Sequence, residues 1–381
     1  MPDIELLTPY ITPPETVTPA WLTEVLRASN MLKQGAVHAV DIESIDTSNS
    51  LTIRLRVSYS PDATSGLPTE LILKQNLQAD WAKEAGQEEV VFYQRIGALH
   101  PPPPAIPPCF AAASDAASGN SYLLLLDLSS THKPPVKHPA QAGSVQSMPS
   151  PLAINQVIEA LARHHAFWWD HPELASGAFQ VGYWSRDAER AALYFQRRQA
   201  GWQALIAEEA DWFPSELIQL YTKAFDQLEA FWARYLEPRF RAGSHLTLVH
   251  GDAYFANFLC PRQRGSETYL LDWQSPSVDL NGYDLANLIA TFWTSEERSE
   301  SAREMRMLRQ YLHTLQSNGV EDYTWEELVV DYQIGLLFWL FMPIQDRRDG
   351  SPKEYWWPKM QCLVSAYRDW RCEELLGIKL G

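Results

Sequence analysis

A chain of 381 residues is too long for one core of ordinary size and predicts two or three lobes of roughly 100 to 200 residues each. Its composition, 46% hydrophobic, 20% charged and 12% aromatic, is that of a folded globular protein and excludes a disordered or collagen-like one. A formal charge of -16 argues against non-specific binding to nucleic acid or anionic membrane, both of which need clustered Lys and Arg; it suits solubility first and a cationic substrate second.

The N-terminal MPDIELLTPY lacks the basic start and apolar centre of a signal peptide. The longest apolar run, 334–344, is interrupted by Pro343 and falls short of the ~20 residues that span a bilayer. Cys109, Cys260, Cys362 and Cys372 have no close paired spacing, which predicts thiols rather than a zinc site or a disulfide framework. A cytoplasmic protein outside the membrane is expected.

Leu51, Ile53, Leu55 and Val57 alternate with polar residues, the period of a strand with one buried face. The turn-rich stretch 61–66 leads to a second apolar strand, 71–74, so the two read as a hairpin with Lys74 inside a strand. From Trp81 to Ile96 the period becomes helical, with Ala85, Glu89, Phe92 and Ile96 on one stripe. A Pro-rich loop, 101–108, precedes another strand at 122–126, and a segment with five prolines follows. The lobe boundary is placed near Asp127: residues 1–128 form a sheet-plus-helix lobe, 129–152 a Pro-rich linker or insertion, and 153–381 a mainly helical lobe. In the latter, Ile158, Leu161, His165 and Trp168 make one stripe, and Leu217, Tyr221, Ala224, Leu228, Phe231 and Tyr235 another. Helices are also expected near 300–316, 325–342 and 353–376, and short strands within 246–272.

That last segment carries the chemistry. It runs His250-Gly251-Asp252 to Asn257 and returns through a turn to Asp272-Trp273-Gln274. If the turn closes a hairpin, Asn257 and Asp272 lie side by side at its open end, with Asp252 on the loop leading in. Asn257 and Asp272 supply the hard oxygens that Mg²⁺ takes beside phosphates, and Asp252, kept off the metal, suits a base for an acceptor hydroxyl. Taken singly, each residue fits capping or turn chemistry as well; the ordered set favours the functional reading. Lys74 and Glu89 are each a charge on an apolar element, costly to bury alone, and so natural partners.

Five stretches together resemble the aminoglycoside phosphotransferase and choline kinase superfamily, and most its ecdysteroid-kinase-like branch: residues 89–93 (EVVFY), 124–132 (LLLDLSSTH), 161–169 (LARHHAFWW), the HGD-to-Asn segment with Asp272, and 283–286 (YDLA). The resemblance implies an α+β, bilobal protein-kinase-like fold with a small antiparallel-sheet N-terminal lobe and a larger helical lobe. It implies ATP or GTP with Mg²⁺ as cofactors, and a small-molecule alcohol as the partner held by the helical lobe. By position Asp252 would be the catalytic base, Asn257 and Asp272 the metal ligands, and Lys74, Glu89 and Asp127 the nucleotide-binding set, with Glu89 pairing Lys74. Asp284 would cap its helix and steady the catalytic loop. Two features depart from the pattern: the phosphate-covering stretch 46–50 has no glycine, and Leu126 stands where relatives commonly carry an acid, which leaves the choice of adenine or guanine open.

His164 and His165 are adjacent, point about 100° apart on a helix and cannot converge on one ion; His165 reads as a satisfied core histidine. For His250 the resemblance implies a support for its loop rather than a base or ligand. Trp168, Trp169, Trp339, Trp356 and Trp357 could cage a quaternary ammonium but read mostly as packing. The aromatic helical lobe and the resemblance to the ecdysteroid-kinase-like branch favour a natural-product or steroid-like alcohol over an amino sugar or choline-like one. A catalytically silent kinase-like binding protein is the alternative, and a metal-dependent hydrolase a poor third.

Overall fold

The computed structural model describes residues 10–47, 50–137, 148–182, 187–209, 211–263 and 265–378. Part of the Pro-rich linker, and Ser48 and Asn49 of the glycine-free loop, lie outside the described residues. The chain groups into two units, Met1–Lys133 with Pro261–Ser275 and Pro134–Cys260 with Pro276–Gly381. Residues 261–275, expected with the helical lobe, group with the sheet.

In the first unit, Thr18 caps α1 (Pro19–Ala28), its side chain accepting from the Trp21 amide at 3.2 Å while Pro19 supplies a preset φ. Five antiparallel strands follow, β1 (Val37–Ile45), β2 (Ser50–Tyr59), β3 (Glu70–Asn76), β4 (Cys109–Ser114) and β5 (Ser121–Leu126), ordered β1-β2-β3-β5-β4. The expected hairpin is the β2–β3 pair, in which Lys74 lies opposite Thr52. Leu55, Val57, Leu71 and Leu73 point to one face and pack with Trp21, Leu22, Val25 and Leu26 of α1. Period-two alternation therefore turns Ile72 and Lys74 to the other face. There α2 (Asp80–Gly97) packs, coming so close at Gly86 that an added Cβ would stand 2.4 Å from Ser121 Oγ and 2.9 Å from Asn76 Cβ. This approach lets Glu89, three residues on, reach the strand.

The second unit is mainly helical. The stripe of α3 (Pro151–Trp168) is fully buried at Ile158, Leu161, His165 and Trp168. The stripe of α4 (Ser215–Phe231) is buried from Leu217 to Phe231 but then passes through a π-helical turn, Trp232–Leu236. The extra residue of that turn shifts the phase, so Leu236 is buried in place of the expected Tyr235. A small sheet joins β6 (Thr247–Val249) antiparallel to β7 (Ser277–Asp279), which also pairs in parallel with Gln180–Val181. The long helices that follow in the chain are α5 (Gly282–Ala290), α6 (Arg303–Ser317), α7 (Trp325–Leu340) and α8 (Lys353–Asp369). Within Trp325–Arg348 an 18-residue stretch is apolar enough to cross a membrane, yet 72% of it is buried inside the protein, as in a core helix. None of the four cysteines forms a disulfide.

α5 and α7 cross backbone to backbone. A Cβ on Gly282 would lie 1.8 Å from the Asp331 carbonyl oxygen, and one on Gly335 2.0 Å from the Gly282 carbonyl oxygen. Neither neighbour is a side chain that can swing aside, so Gly335→Ala forces the helices apart and should cost about 3 kcal/mol or more. Urea unfolding should show a lower midpoint; an unchanged midpoint would mean that the two helices have room for a methyl group at their crossing.

Candidate active site

In the sheet unit, Lys74 Nζ donates to both carboxylate oxygens of Glu89, at 2.9 and 2.7 Å, and to Asp272 Oδ1 at 2.6 Å. The Lys74 side chain is 17% exposed, that of Glu89 4% and that of Asp272 35%, so the cluster is open only on the Asp272 side. Burial opposes the ammonium charge, but the carboxylates of Glu89 and Asp272 outweigh it and raise the Lys74 pKa. Burial likewise pushes the Glu89 carboxyl up, against the pull of Lys74.

Asp272 reaches Lys74 from an unusual backbone conformation, φ +68°, which Asp tolerates better than most residues. Its neighbours fix the turn. Trp273 stacks on Phe92 of α2 with centroids 4.3 Å apart and planes 8° from parallel, and its ring N–H donates to the Leu270 carbonyl at 2.8 Å. Leu270 in turn donates to the Ala105 carbonyl at 2.8 Å. The aromatic stack thus ties the Asp272 segment to the helix that carries Glu89.

Asp127 is not part of this cluster. Its carboxylate accepts from Arg54 Nε at 2.5 Å and from the Ser129 amide at 2.8 Å, and the side chain is 4% exposed. Those partners commit it to fixing the end of β5.

In the helical unit, Gly251 adopts φ +88°, a conformation suited to glycine, and this bend presents Asp252 at the surface. Asp252 Oδ2 accepts from Asn257 Nδ2 at 3.2 Å and Oδ1 from Asn287 Nδ2 at 3.2 Å. The same Asn257 nitrogen donates to the Asp252 carbonyl at 2.8 Å, which turns the amide oxygen of Asn257 away from this acid. Asn257 ends the one-turn helix Phe255–Asn257. Asn287 was not anticipated; its only mark in the sequence is a polar side chain within the apolar run that forms α5.

Asp284 holds the loop from beneath. Its carboxylate accepts from the amides of His250 at 2.7 Å and Gly251 at 3.0 Å, and from His165 Nε2 at 3.1 Å. Asp284 does not cap its own helix, where Asn281 is the N-cap, so the capping half of the expectation is corrected: the side chain turns to the loop instead. Burial works to raise the Asp284 pKa, but His165 and the loop around His250 bring it below the usual carboxylate value. His165 is satisfied on both sides, with Tyr311 Oη 2.7 Å from Nδ1, and His250 accepts the Asp252 amide at 3.2 Å.

His164 Nε2 lies 3.0 Å from the Leu248 carbonyl and ties α3 to the strand entering the loop. Burial, helped by the neighbouring His165, pushes its pKa from 6.5 down to about 3. The folded state thus keeps His164 neutral while the unfolded chain binds a proton below about 6.5, so stability is lost as pH falls from about 6.5 towards 3. Thermal unfolding followed across that window should show the decline, and a shallower one in His164→Asn; equal slopes would contradict this account.

Among the described residues, no group of three His, Cys, Asp or Glu side chains is placed to hold a metal ion. The oxygens of Asp272 and Asn257 are instead the kind that a hard cation takes in ones and twos beside phosphate.

The geometry can be set beside known proteins. Residues 59–327 match the phosphotransferase enzyme family, APH. A search of the curated proteins finds no match. Among solved structures, the GDP complex of a mutant aminoglycoside 2'-phosphotransferase-IIIa superposes with a TM-score of 0.51 at 12% identity, covering 90% of this chain and 95% of that one. Choline kinase from Cryptosporidium parvum Iowa II superposes with a TM-score of 0.52 at 11% identity, covering 89% and 91%. At such identities these likenesses show the fold alone: α+β, kinase-like, with an antiparallel-sheet lobe and a helical lobe. With the match extending over most of its length, the chain belongs to the phosphotransferase enzyme family.

Proposed function

We propose that the protein transfers the γ-phosphoryl group of ATP or GTP to the hydroxyl of a small molecule. The observation that carries this reading is Asp252, an exposed carboxylate with both oxygens steered by side-chain amides and its backbone fixed from beneath by Asp284. An acid so placed accepts the proton of an acceptor hydroxyl as the new O–P bond forms and the bond from the γ-phosphorus to its bridging oxygen breaks, releasing nucleoside diphosphate.

In this reading Lys74, held by Glu89, neutralises nucleotide phosphates, and Asp127 serves the nucleotide indirectly by fixing the end of β5. Asp272 and Asn257 would hold magnesium, which when bound neutralises phosphate charge. The GDP complex of the similarly folded aminoglycoside 2'-phosphotransferase-IIIa mutant supports nucleotide use. Retention of Asp252, Asn257, Asp272 and Lys74 together supports an active enzyme over a silent binding protein.

The acceptor is read as a natural-product or steroid-like alcohol, in line with the ecdysteroid-kinase-like motifs, in preference to an amino sugar or choline-like alcohol. The net charge of -16 supports small-molecule partners over nucleic acid or anionic membrane, and four thiols without a disulfide fit the reducing conditions of the cytoplasm. Nucleoside diphosphate release should depend on an added alcohol, with ATP or with GTP. Release at the same rate without any acceptor would make the protein a hydrolase and overturn the proposal.

A further inference from the structure

Three aromatic rings of the helical unit gather around one cation supplied by the chain itself. The Nζ of Lys359, on α8, lies 5.9 Å from the ring centroid of Phe292, 5.4 Å from that of Trp339 and 5.5 Å from that of Tyr355. Its side chain is 6% exposed and its ammonium pairs with Asp346 Oδ2 at 2.9 Å. Burial opposes the charge, but Asp346, Tyr355 and Asp252 outweigh it, so Lys359 stays an ammonium.

The cage adjoins the loop of Asp252. Asn287, which donates to Asp252, lies one helical turn from Tyr283 on α5 and so on the same face. Tyr283 packs against Trp339, centroids 5.3 Å apart, and its carbonyl accepts the Trp339 ring N–H at 2.9 Å. From the loop itself, Tyr254 meets Phe292 at 5.8 Å. The charge of Asp252 is felt at Lys359, Tyr355 and Tyr283 alike.

Ring faces beside a carboxylate are what a quaternary or protonated amine seeks. Here that place is taken. We propose that the Phe292–Trp339–Tyr355 cage, filled by Lys359, forms one wall of the acceptor site and restricts the acceptor to hydroxyl compounds that carry no positive charge. This rests on the reading of Asp252 as the base of a phosphotransferase. A cationic alcohol at the base would be repelled by this nearby buried ammonium, whereas an uncharged one can lay an apolar face on the half-buried rings of Phe292 and Tyr355, Trp339 itself being buried.

The test has a binding arm and a transfer arm. Tetramethylammonium chloride, followed by ligand-observed NMR, should bind Lys359→Ala, which keeps the rings and Asp346, at least about tenfold more tightly than wild type. Equal binding to both would overturn the proposal. In transfer, wild type should prefer the uncharged carbon isostere of choline to choline itself, and the charge-neutral Lys359→Met/Asp346→Asn variant should lose about tenfold of that preference. Wild type preferring choline would overturn it as well, without recourse to any variant. If neither alcohol is phosphorylated, the binding arm alone decides the cage assignment, and the reading of Asp252 as a base is decided separately by whether nucleoside diphosphate release depends on an added alcohol.

Discussion

Asp252→Ala is expected to lower kcat by about 10²- to 10⁴-fold, the range for loss of a general base, while nucleotide affinity changes little. Asp252 sits on a loop whose shape is fixed from outside it, by the Asp284 carboxylate on the amides of His250 and Gly251. Its side chain is exposed, the amides of Asn257 and Asn287 that it receives are uncharged, and Lys359, which feels its charge, keeps Asp346 as its ion-pair partner. The loss should therefore fall on the chemical step. Asn287→Ala should act in the same direction more weakly, because one oxygen of the acid loses its guide. Calorimetry with the magnesium–nucleotide complex, paired with initial rates, separates the effects. A variant that turned over normally would remove Asp252 from the mechanism.

Lys74→Met should be damaging twice over. The ammonium answers both Glu89, which is almost fully buried, and Asp272; without it Glu89 is an uncompensated interior charge, worth about 3–5 kcal/mol of stability when one partner of a buried pair is removed. Because burial already pushes the Glu89 carboxyl up, Glu89 in this variant should take up a proton, and part of the lost stability should return as pH falls through the carboxylate range. The double variant Lys74→Met/Glu89→Leu should refold to near wild-type stability yet still fail to hold nucleotide. Recovery of nucleotide binding in the double variant would show that the pair is structural only. Asp272→Ala, by contrast, leaves Lys74 with Glu89, so it should fold well but lose affinity and transfer together.

Much of this arrangement was legible in the sequence because it breaks local rules. Lys74 on an apolar strand and Glu89 on an apolar helical stripe announce each other, since neither can be buried alone. The strands at 51–57, 71–74 and 122–126 showed by alternation or by an apolar run, and the long helices by their stripes. β1 did not show, because it is mostly exposed and has no buried face to impose a period, and α1 is short. Leu51 marks the limit of the alternation argument: it shares the parity of Leu55 and Val57 yet is 56% exposed near the strand's end.

What stayed hidden depends on distance along the chain. Asn287 looks like one more residue of a core helix until Asp252 is placed against it, and Asp284 reads as a cap from its position at a helix start. Lys359 and Asp346 lie on successive helices at a spacing with no period of its own, and nothing in the sequence joins either to Phe292 or Trp339. The phase slip at Trp232–Leu236 is equally invisible, since a π-helical turn is set by packing rather than by any one residue.

The central claim is tested most directly by offering wild type and Asp252→Asn the same mixture of small alcohols with ATP or GTP and magnesium, and reading the products by mass spectrometry. The account predicts an alcohol that gains one phosphoryl group with wild type and fails to do so with the variant. A phosphorylated product formed equally by both, or nucleotide consumed with no phosphorylated alcohol, would contradict it.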